Sequence, residues 1–228
     1  MLFSQQREDC GPETMKMKHY ILGTLALLLS GMVVVCVAFY VDQRQMFHKP
    51  VLDSRAPDLP AIQESPAILV FSKTNGFRHK DGIEAARKTI ASLAADHGWS
   101  VFMTENGAVH NPEQLAQFSV VIWANASGQV LTGDQQASLR QYIESGGGFL
   151  AIHAAGDGSH KQWDWYQNTV LRADFIGHTL FPHLQDADIE TVSADHPAVA
   201  GLPPRWNHHD EWYAFERSPA SRGSTVLL

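Results

Sequence analysis

The sequence predicts an α/β fold, in which an open parallel sheet carries helices on both faces and follows one apolar N-terminal helix. The sheet is predicted because short apolar runs alternate with helical patterns from Ala67 onward, and because several of these runs are apolar throughout. The apolar helix is predicted because residues 20–41 form an uncharged segment.

The N-terminal segment is long enough to cross a hydrocarbon layer of about 30 Å as a transmembrane helix. It follows a short tail, residues 1–19, and Lys16 and Lys18 stand at its entrance, which is typical of a signal anchor. We therefore expect a single-pass membrane protein whose domain lies on the extracytoplasmic side, periplasmic or extracellular. Cleavage after Ala38 is the alternative, since Cys36 and Ala38 are small residues at the recognition positions.

A polar linker, residues 42–66, separates this segment from a domain predicted to occupy residues 67–228. The prolines of the linker disfavour a helix and favour an extended spacer. Both cysteines, Cys10 and Cys36, precede the domain, which therefore has no internal disulfide and no thiol nucleophile. The net charge of −7 argues against nucleic acid as a partner, because no basic tract exists to neutralise phosphates.

The first half of the domain supplies the predicted sheet, with strands at residues 67–71, 100–103, 120–123 and 149–152. Asp81 is the candidate N-cap of the helix after the first strand. Thr132 and Gln135 form a candidate capping box before the fourth strand. That strand leads directly into His153, at the carboxyl edge where open α/β sheets bind ligands.

The second half of the domain is rich in loops, with one strand predicted around residues 189–192. The chain ends in an apolar run, residues 225–228, that is typical of a strand interior. We therefore expect the complete fold to contain a further C-terminal strand and loop.

Two loops at the predicted carboxyl edge carry candidate site residues. Arg78 lies after the first strand and offers a fixed fork of donors to an anion or a sugar hydroxyl, unless it pairs with a neighbouring carboxylate. His153 occupies a turn where several α/β enzymes place a serine or cysteine nucleophile, and imidazole there could act as a base or a metal ligand. The alternative is a buried histidine that is hydrogen-bonded to the backbone.

The loop-rich half concentrates histidine, acidic and aromatic side chains. Such a cluster could hold a divalent metal ion, although no tight ligand spacing identifies one, and the cofactor stays unknown. The candidate ligands are His153, His178 and His183. Aromatic rings in these loops either hold the faces of sugar rings or cover the sheet as part of the core. The aromatic candidates are Trp163, Trp165, Trp212 and Tyr213.

Five ordered motifs resemble the ThuA-like (trehalose-utilisation) family across nearly the whole predicted domain. They are Gly76-Phe77-Arg78-His79, the glycine-rich strand that ends in Ile152-His153-Ala154-Ala155, Phe175-Ile176-Gly177-His178, Asp195-His196-Pro197 with Gly201-Leu202-Pro203, and Asp210-Glu211-Trp212-Tyr213-Ala214-Phe215. The resemblance implies a flavodoxin-like fold, similar to class I glutamine amidotransferases. It does not imply their reaction, because His153 stands where those enzymes carry a cysteine.

The resemblance also implies sugar metabolism, in particular the trehalose and keto-sugar pathways. Our first hypothesis is a membrane-anchored enzyme, a hydrolase or lyase type, that acts on a small carbohydrate. The candidate catalytic residues are His153, His79, Asp210 and Glu211, and the candidate substrate contacts are Arg78, Asp157, His178, Trp212 and Tyr213. The second hypothesis is a non-catalytic carbohydrate-binding or sensing module on the same fold.

Overall fold

The computed structural model describes residues 12–61 and 66–228. The chain divides into two compact units, Met1–His48 and Lys49–Leu228. In the first unit, helix α1 spans Pro12–Asp42 and a short 3-10 turn follows at Arg44–Phe47. Among the described residues, Lys16–Asp42 is long and apolar enough to cross a membrane, a property that signal sequences share. The predicted segment 20–41 lies inside this helix.

The second unit contains the predicted open parallel sheet. Its strands are β1 (Ala67–Phe71), β2 (Ser100–Thr104), β3 (Val120–Ala124) and β4 (Gly148–Ile152), in the order β2-β1-β3-β4 with every neighbouring pair parallel. The helices are α2 (Lys80–His97), α3 (Pro112–Leu115) and α4 (Gly133–Glu144). The α/β prediction is therefore confirmed.

Helices cover both faces of the sheet, which explains why the strands are apolar throughout. On one face, Leu69 of β1 packs in a cluster with Leu115 of α3 and Leu139 of α4. On the other face, Val70 belongs to a cluster with Ile90 of α2. Because successive side chains of a strand point to opposite faces, both sets of residues must be apolar.

The helix ends confirm one of the two capping predictions. Thr132 and Gln135 form the predicted capping box at the start of α4, with the two reciprocal hydrogen bonds in place. Helix α2 instead begins at Lys80 after His79, so the prediction that Asp81 is its N-cap was wrong. Asp81 lies in the first turn, where its carboxylate faces the positive end of the helix dipole.

The loop-rich half contains two small antiparallel sheets that the sequence did not predict. Strand β5 (Phe175–His178) pairs with β8 (Tyr213–Phe215), and β6 (Gln185–Glu190) pairs with β7 (Arg205–Asp210). The strand predicted at residues 189–192 therefore begins earlier, at Gln185, and ends at Glu190. Residues 225–228 have no strand assignment, although the Val192 N–H donates to the Leu227 carbonyl at 2.9 Å.

Short helical turns complete the second unit. Turns of 3-10 helix lie at Gly107–Val109, His153–Gly156, Gly158–His160, Pro197–Val199 and Pro219–Arg222, and a π-helical turn lies at Tyr166–Leu171.

Part of the predicted linker is attached to the surface of the second unit. The carboxylate of Asp53 accepts from Lys73 Nζ at 2.6 Å and from the Gly107 N–H at 2.8 Å, while its carbonyl accepts from Gln135 Nε2 at 2.7 Å. Gln114 Nε2 donates to the Pro57 carbonyl at 2.7 Å. We call residues 51–57 the strap, because these hydrogen bonds connect them to the domain.

A histidine–tryptophan pair lies in the core beneath β3. His110 is completely buried, and its Nε2 accepts from Trp123 Nε1 at 3.1 Å. Since an indole N–H can only donate, the proton of His110 must lie on Nδ1, which is 3.0 Å from the Gly107 carbonyl. Burial lowers the pKa of His110 to about 4, and the hydrogen bond to Gly107 opposes this shift.

The buried histidine predicts a loss of stability in acid. The native side chain stays neutral while the unfolded chain takes up a proton near pH 6.5, so stability is complete above that pH and is lost as the pH falls towards 4. We expect the free energy of unfolding to fall by about 3 kcal/mol over this range through His110. Urea unfolding at several pH values measures this change.

The matched variants are His110→Gln and His97→Gln. The first should remove this part of the pH dependence, because glutamine does not titrate, whereas the second changes an exposed histidine of α2 and should retain it. Identical pH dependence in wild type and His110→Gln would show that the assignment is wrong.

Candidate functional site

The loop after β3 joins the loops that follow β1 and β4. The Asn75 and Gly76 N–H groups donate to the Ser127 carbonyl at 2.8 and 3.0 Å, and the Gly128 N–H donates to Ser159 Oγ at 2.8 Å. All three loops leave the carboxyl ends of adjacent parallel strands. This connection therefore fixes the segments that carry His79 and His153.

His153 begins the turn after β4 in an unusual backbone conformation. Its φ is +51°, in the left-handed region that residues other than glycine rarely adopt. The next two residues, Ala154 and Ala155, are completely buried, so the turn is held by packing. Backbone strain of this kind persists where the surrounding structure determines it, and it is frequent at functional sites.

The carboxylate of Glu211 is the centre of the site. Its side chain is only 6% exposed, and three imidazole nitrogens approach it. His153 Nε2 lies 3.1 Å from Oε2, while His178 Nε2 and His183 Nε2 lie 3.1 and 3.2 Å from Oε1. The ring of His79 contacts the ring of His153 with centroids 4.5 Å apart. We call these five residues the histidine–glutamate cluster.

The small sheet of β5 and β8 brings the later residues of the cluster together. His178, the last residue of β5, pairs with Tyr213, the first residue of β8. Glu211 precedes Tyr213 by two residues, and His183 follows in the loop after β5. Tyr213 also contacts the first part of the site, since its hydroxyl lies 3.0 Å from His153 Nε2.

Burial and neighbouring charges keep two members of the site neutral. Burial lowers the pKa of His79, and the charge of His153 lowers it further, while Glu211 and Asp157 oppose the shift. Burial raises the pKa of Tyr213, and the charges of Glu211 and Asp157 add to the increase. At neutral pH the site therefore offers a neutral imidazole and a neutral phenol, which suit proton transfer and ligand binding.

Three of the predicted site residues bind other partners. Arg78 pairs with Glu105 at 2.6 Å, which is the alternative that the sequence left open. The Asp210 carboxylate is exposed and accepts from the Glu211 N–H at 2.8 Å. Trp212 Nε1 donates to the Gln185 carbonyl at 2.7 Å.

Asp157 lies at the margin of the cluster. Its Oδ1 accepts from the Ser159 N–H at 2.6 Å, and its charge acts on His79 and Tyr213 as described. Among the aromatic candidates, Trp163 and Trp165 pack against the hydrophobic core. This is the alternative to sugar binding that the sequence left open for these rings.

The cluster contains two groups of side chains that could each hold a metal ion. His79 and His153 form one group with Glu211, and His178 and His183 form the other with the same carboxylate. Within each group the candidate ligand atoms lie within 4.8 Å of one another.

Sequence reasoning missed the residues that position the cluster. Ser127 and Gly128 connect the two histidine loops, and Ser127 Oγ also donates to the Phe77 carbonyl at 2.7 Å. The available signal was the short polar run that directly follows β3 at the carboxyl edge.

The fold and the site define a class of protein, an open parallel α/β domain with a histidine–glutamate cluster at the carboxyl edge of its sheet. The sequence model of the ThuA family, described as trehalose utilisation, matches residues 67–228. The chain therefore belongs to the ThuA family.

A solved structure supports the fold assignment. The crystal structure of a ThuA-like protein from Bacteroides uniformis superposes with a TM-score of 0.59 and 22% sequence identity, covering 72% of this chain and 67% of that chain. At this identity the similarity shows a shared fold. No curated protein matches the chain.

The contact between the loops predicts that replacing Gly128 destabilises the domain. Its φ is +75°, and a Cβ at this position would lie 2.5 Å from the Gly76 nitrogen. We expect Gly128→Ala to lower the free energy of unfolding by about 1–3 kcal/mol, because the loops must separate and the backbone is strained. Urea unfolding of the full chain measures the loss.

The matched control is Gly133→Ala at the start of α4, where an added Cβ meets nothing within 4 Å. Its stability should stay within about 0.5 kcal/mol of wild type. If Gly128→Ala is as stable as this control, then the loop contact does not constrain the site.

Proposed function

We propose that this chain is a membrane-anchored enzyme that processes a small carbohydrate at the histidine–glutamate cluster. The observation that carries the proposal is the buried carboxylate of Glu211, which three imidazoles approach to within 3.2 Å. Titratable side chains that converge in this way at the carboxyl edge of a sheet are typical of acid–base sites. The sugar class comes from the family, which is described as trehalose utilisation.

The chemistry centres on His153 as the general base or acid. Its Nε2 lies within reach of both Glu211 and the Tyr213 hydroxyl, so a proton taken from a sugar can be held between these groups. The neutral ring of His79 beside it is the second candidate for acid–base work. His178 and Asp157 are suited to bind sugar hydroxyls. Glutamine hydrolysis is not proposed, because the domain has no cysteine.

The N-terminal helix supplies the proposed attachment to the membrane. Its apolar stretch is long enough to cross a bilayer, and Lys16 and Lys18 stand at its N-terminal end. We propose residues 20–41 as a retained signal anchor, residues 42–66 as the linker, and residues 67–228 as an extracytoplasmic domain. Cysteine is absent after Cys36, which is compatible with an oxidising compartment.

The proposal predicts turnover of a trehalose-related or keto-sugar substrate by the full chain in detergent. Glu211→Gln keeps the size of the side chain but removes its charge, and His153→Ala removes the proposed base. We expect either change to lower kcat/KM by about 10²–10⁴-fold. His208→Gln is the control, because His208 is an exposed histidine of β7 whose partner is Asp210.

The outcomes separate the two hypotheses for this family member. Turnover that is lost in both variants and kept in the control supports the enzyme. Sugar binding without turnover, weakened by Trp212→Ala and unaffected by His153→Ala, would establish the carbohydrate-binding module instead. Equal rates in all variants would place the reaction outside this cluster.

A further inference from the structure

We propose that His178, His183 and Glu211 bind one divalent transition-metal ion of the zinc class. This inference deepens the proposed function. The role of the ion rests on that function, whereas the presence of the ion does not. It concerns the second of the two groups in the cluster.

The distances from Glu211 to the two histidine nitrogens fit a tetrahedral site. Zinc binds imidazole nitrogen and carboxylate oxygen at about 2.0–2.2 Å, so two ligands at tetrahedral angles lie roughly 3.3 Å apart. The separations from Glu211 Oε1 are 3.1 Å to His178 Nε2 and 3.2 Å to His183 Nε2. The two histidine nitrogens also lie within 4.8 Å of each other, so the three atoms can approach one ion.

The tautomer of His178 presents a lone pair to the carboxylate. Its Nδ1 lies 3.2 Å from the Thr179 carbonyl, which can only accept a hydrogen bond, so Nδ1 carries the proton. In the neutral ring the Nε2 lone pair then faces the lone pairs of Glu211 Oε1 at 3.1 Å, and this contact becomes favourable when a proton or a metal ion lies between the two atoms. A histidine fixed through its second nitrogen by a carbonyl is also the usual support of a metal ligand.

The other group is less suited to the ion, because His153 already has a partner. Its Nε2–H can donate to Glu211 Oε2 at 3.1 Å, and the Tyr213 hydroxyl lies 3.0 Å from the same nitrogen. In this arrangement Oε1 of Glu211 would bind the ion, while Oε2 contacts His153. The base and the metal would share one carboxylate while acting as separate groups.

An open ligand position is available on the side of His183. Its side chain is 50% exposed, whereas that of Glu211 is almost completely buried. Catalytic zinc sites typically have three protein ligands and leave the fourth position to water or substrate. Three protein ligands and one exposed side match this pattern, and a sugar carbonyl or hydroxyl oxygen is the ligand class that the ion would polarise.

The test measures metal binding by the full chain in detergent, prepared without a polyhistidine tag and stripped with a chelator. Zn²⁺ or Co²⁺ is then added, the bound metal is counted by elemental mass spectrometry, and the Co²⁺ absorption spectrum reports the geometry. We expect one equivalent with the intense visible bands of tetrahedral Co²⁺. His178→Ala and His183→Ala should each weaken binding by at least about 10-fold.

Two control variants sharpen the ligand assignment. His209→Ala removes an exposed histidine that also lies beside a carboxylate, with Nδ1 2.9 Å from Asp186 Oδ1, and it should bind the ion as wild type does. His153→Ala should also keep the ion, since His153 is not a proposed ligand. Loss of the ion in His153→Ala with retention in His178→Ala would overturn the assignment.

The wild type alone is sufficient to refute the proposal, so a variant that fails to fold does not block the test. Absence of a bound equivalent in the stripped and reloaded wild type overturns the metal site. Sugar turnover without any bound metal would leave the proposed function intact and reject this inference. One bound equivalent with no turnover of any sugar would support the metal site and reject the proposed function.

Discussion

The buried carboxylate of Glu211 is the constraint on which the site depends. Removing a negative charge from water costs several kcal/mol unless hydrogen bonds or opposite charges compensate. The groups that surround this carboxylate are the imidazoles of His153, His178 and His183, and they can compensate its charge by donating N–H hydrogen bonds or by sharing a cation with it. The sheet, the strained turn at His153 and the pairing of β5 with β8 all contribute by placing these rings around one side chain.

The sheet could be predicted from sequence because its determinants are local. Each strand is a short apolar run, and the capping box of Thr132 and Gln135 lies within four residues. The site could be predicted only in part. Adjacent side chains of an extended backbone point in opposite directions. The sequence therefore predicts both Asp210 and Glu211 as site residues, but it does not show which of the two faces the site. The partner of Arg78, the carboxylate of Glu105, is distant in sequence and carried no signal.

The strap shows a similar limit of composition-based reasoning. The prolines of the linker predict an extended spacer, but composition does not reveal which hydrogen-bond donors such a segment meets. The carboxylate and carbonyl of Asp53 together accept three hydrogen bonds from Lys73, Gly107 and Gln135. Residues that resembled a spacer therefore contribute to the stability of the domain. A truncated form that begins at Ala67 would lose these bonds.

The order of the cluster along the chain has a consequence for biosynthesis. A ribosome makes the parallel sheet and both His79 and His153 well before it reaches Glu211, and domains generally begin to fold from the N-terminal side during synthesis. The nascent protein thus presents imidazoles before it has the carboxylate that organises them. Release of the chain at a codon between those of Ile152 and Glu211 would yield a product that contains all residues of the parallel sheet but lacks the carboxylate of the cluster.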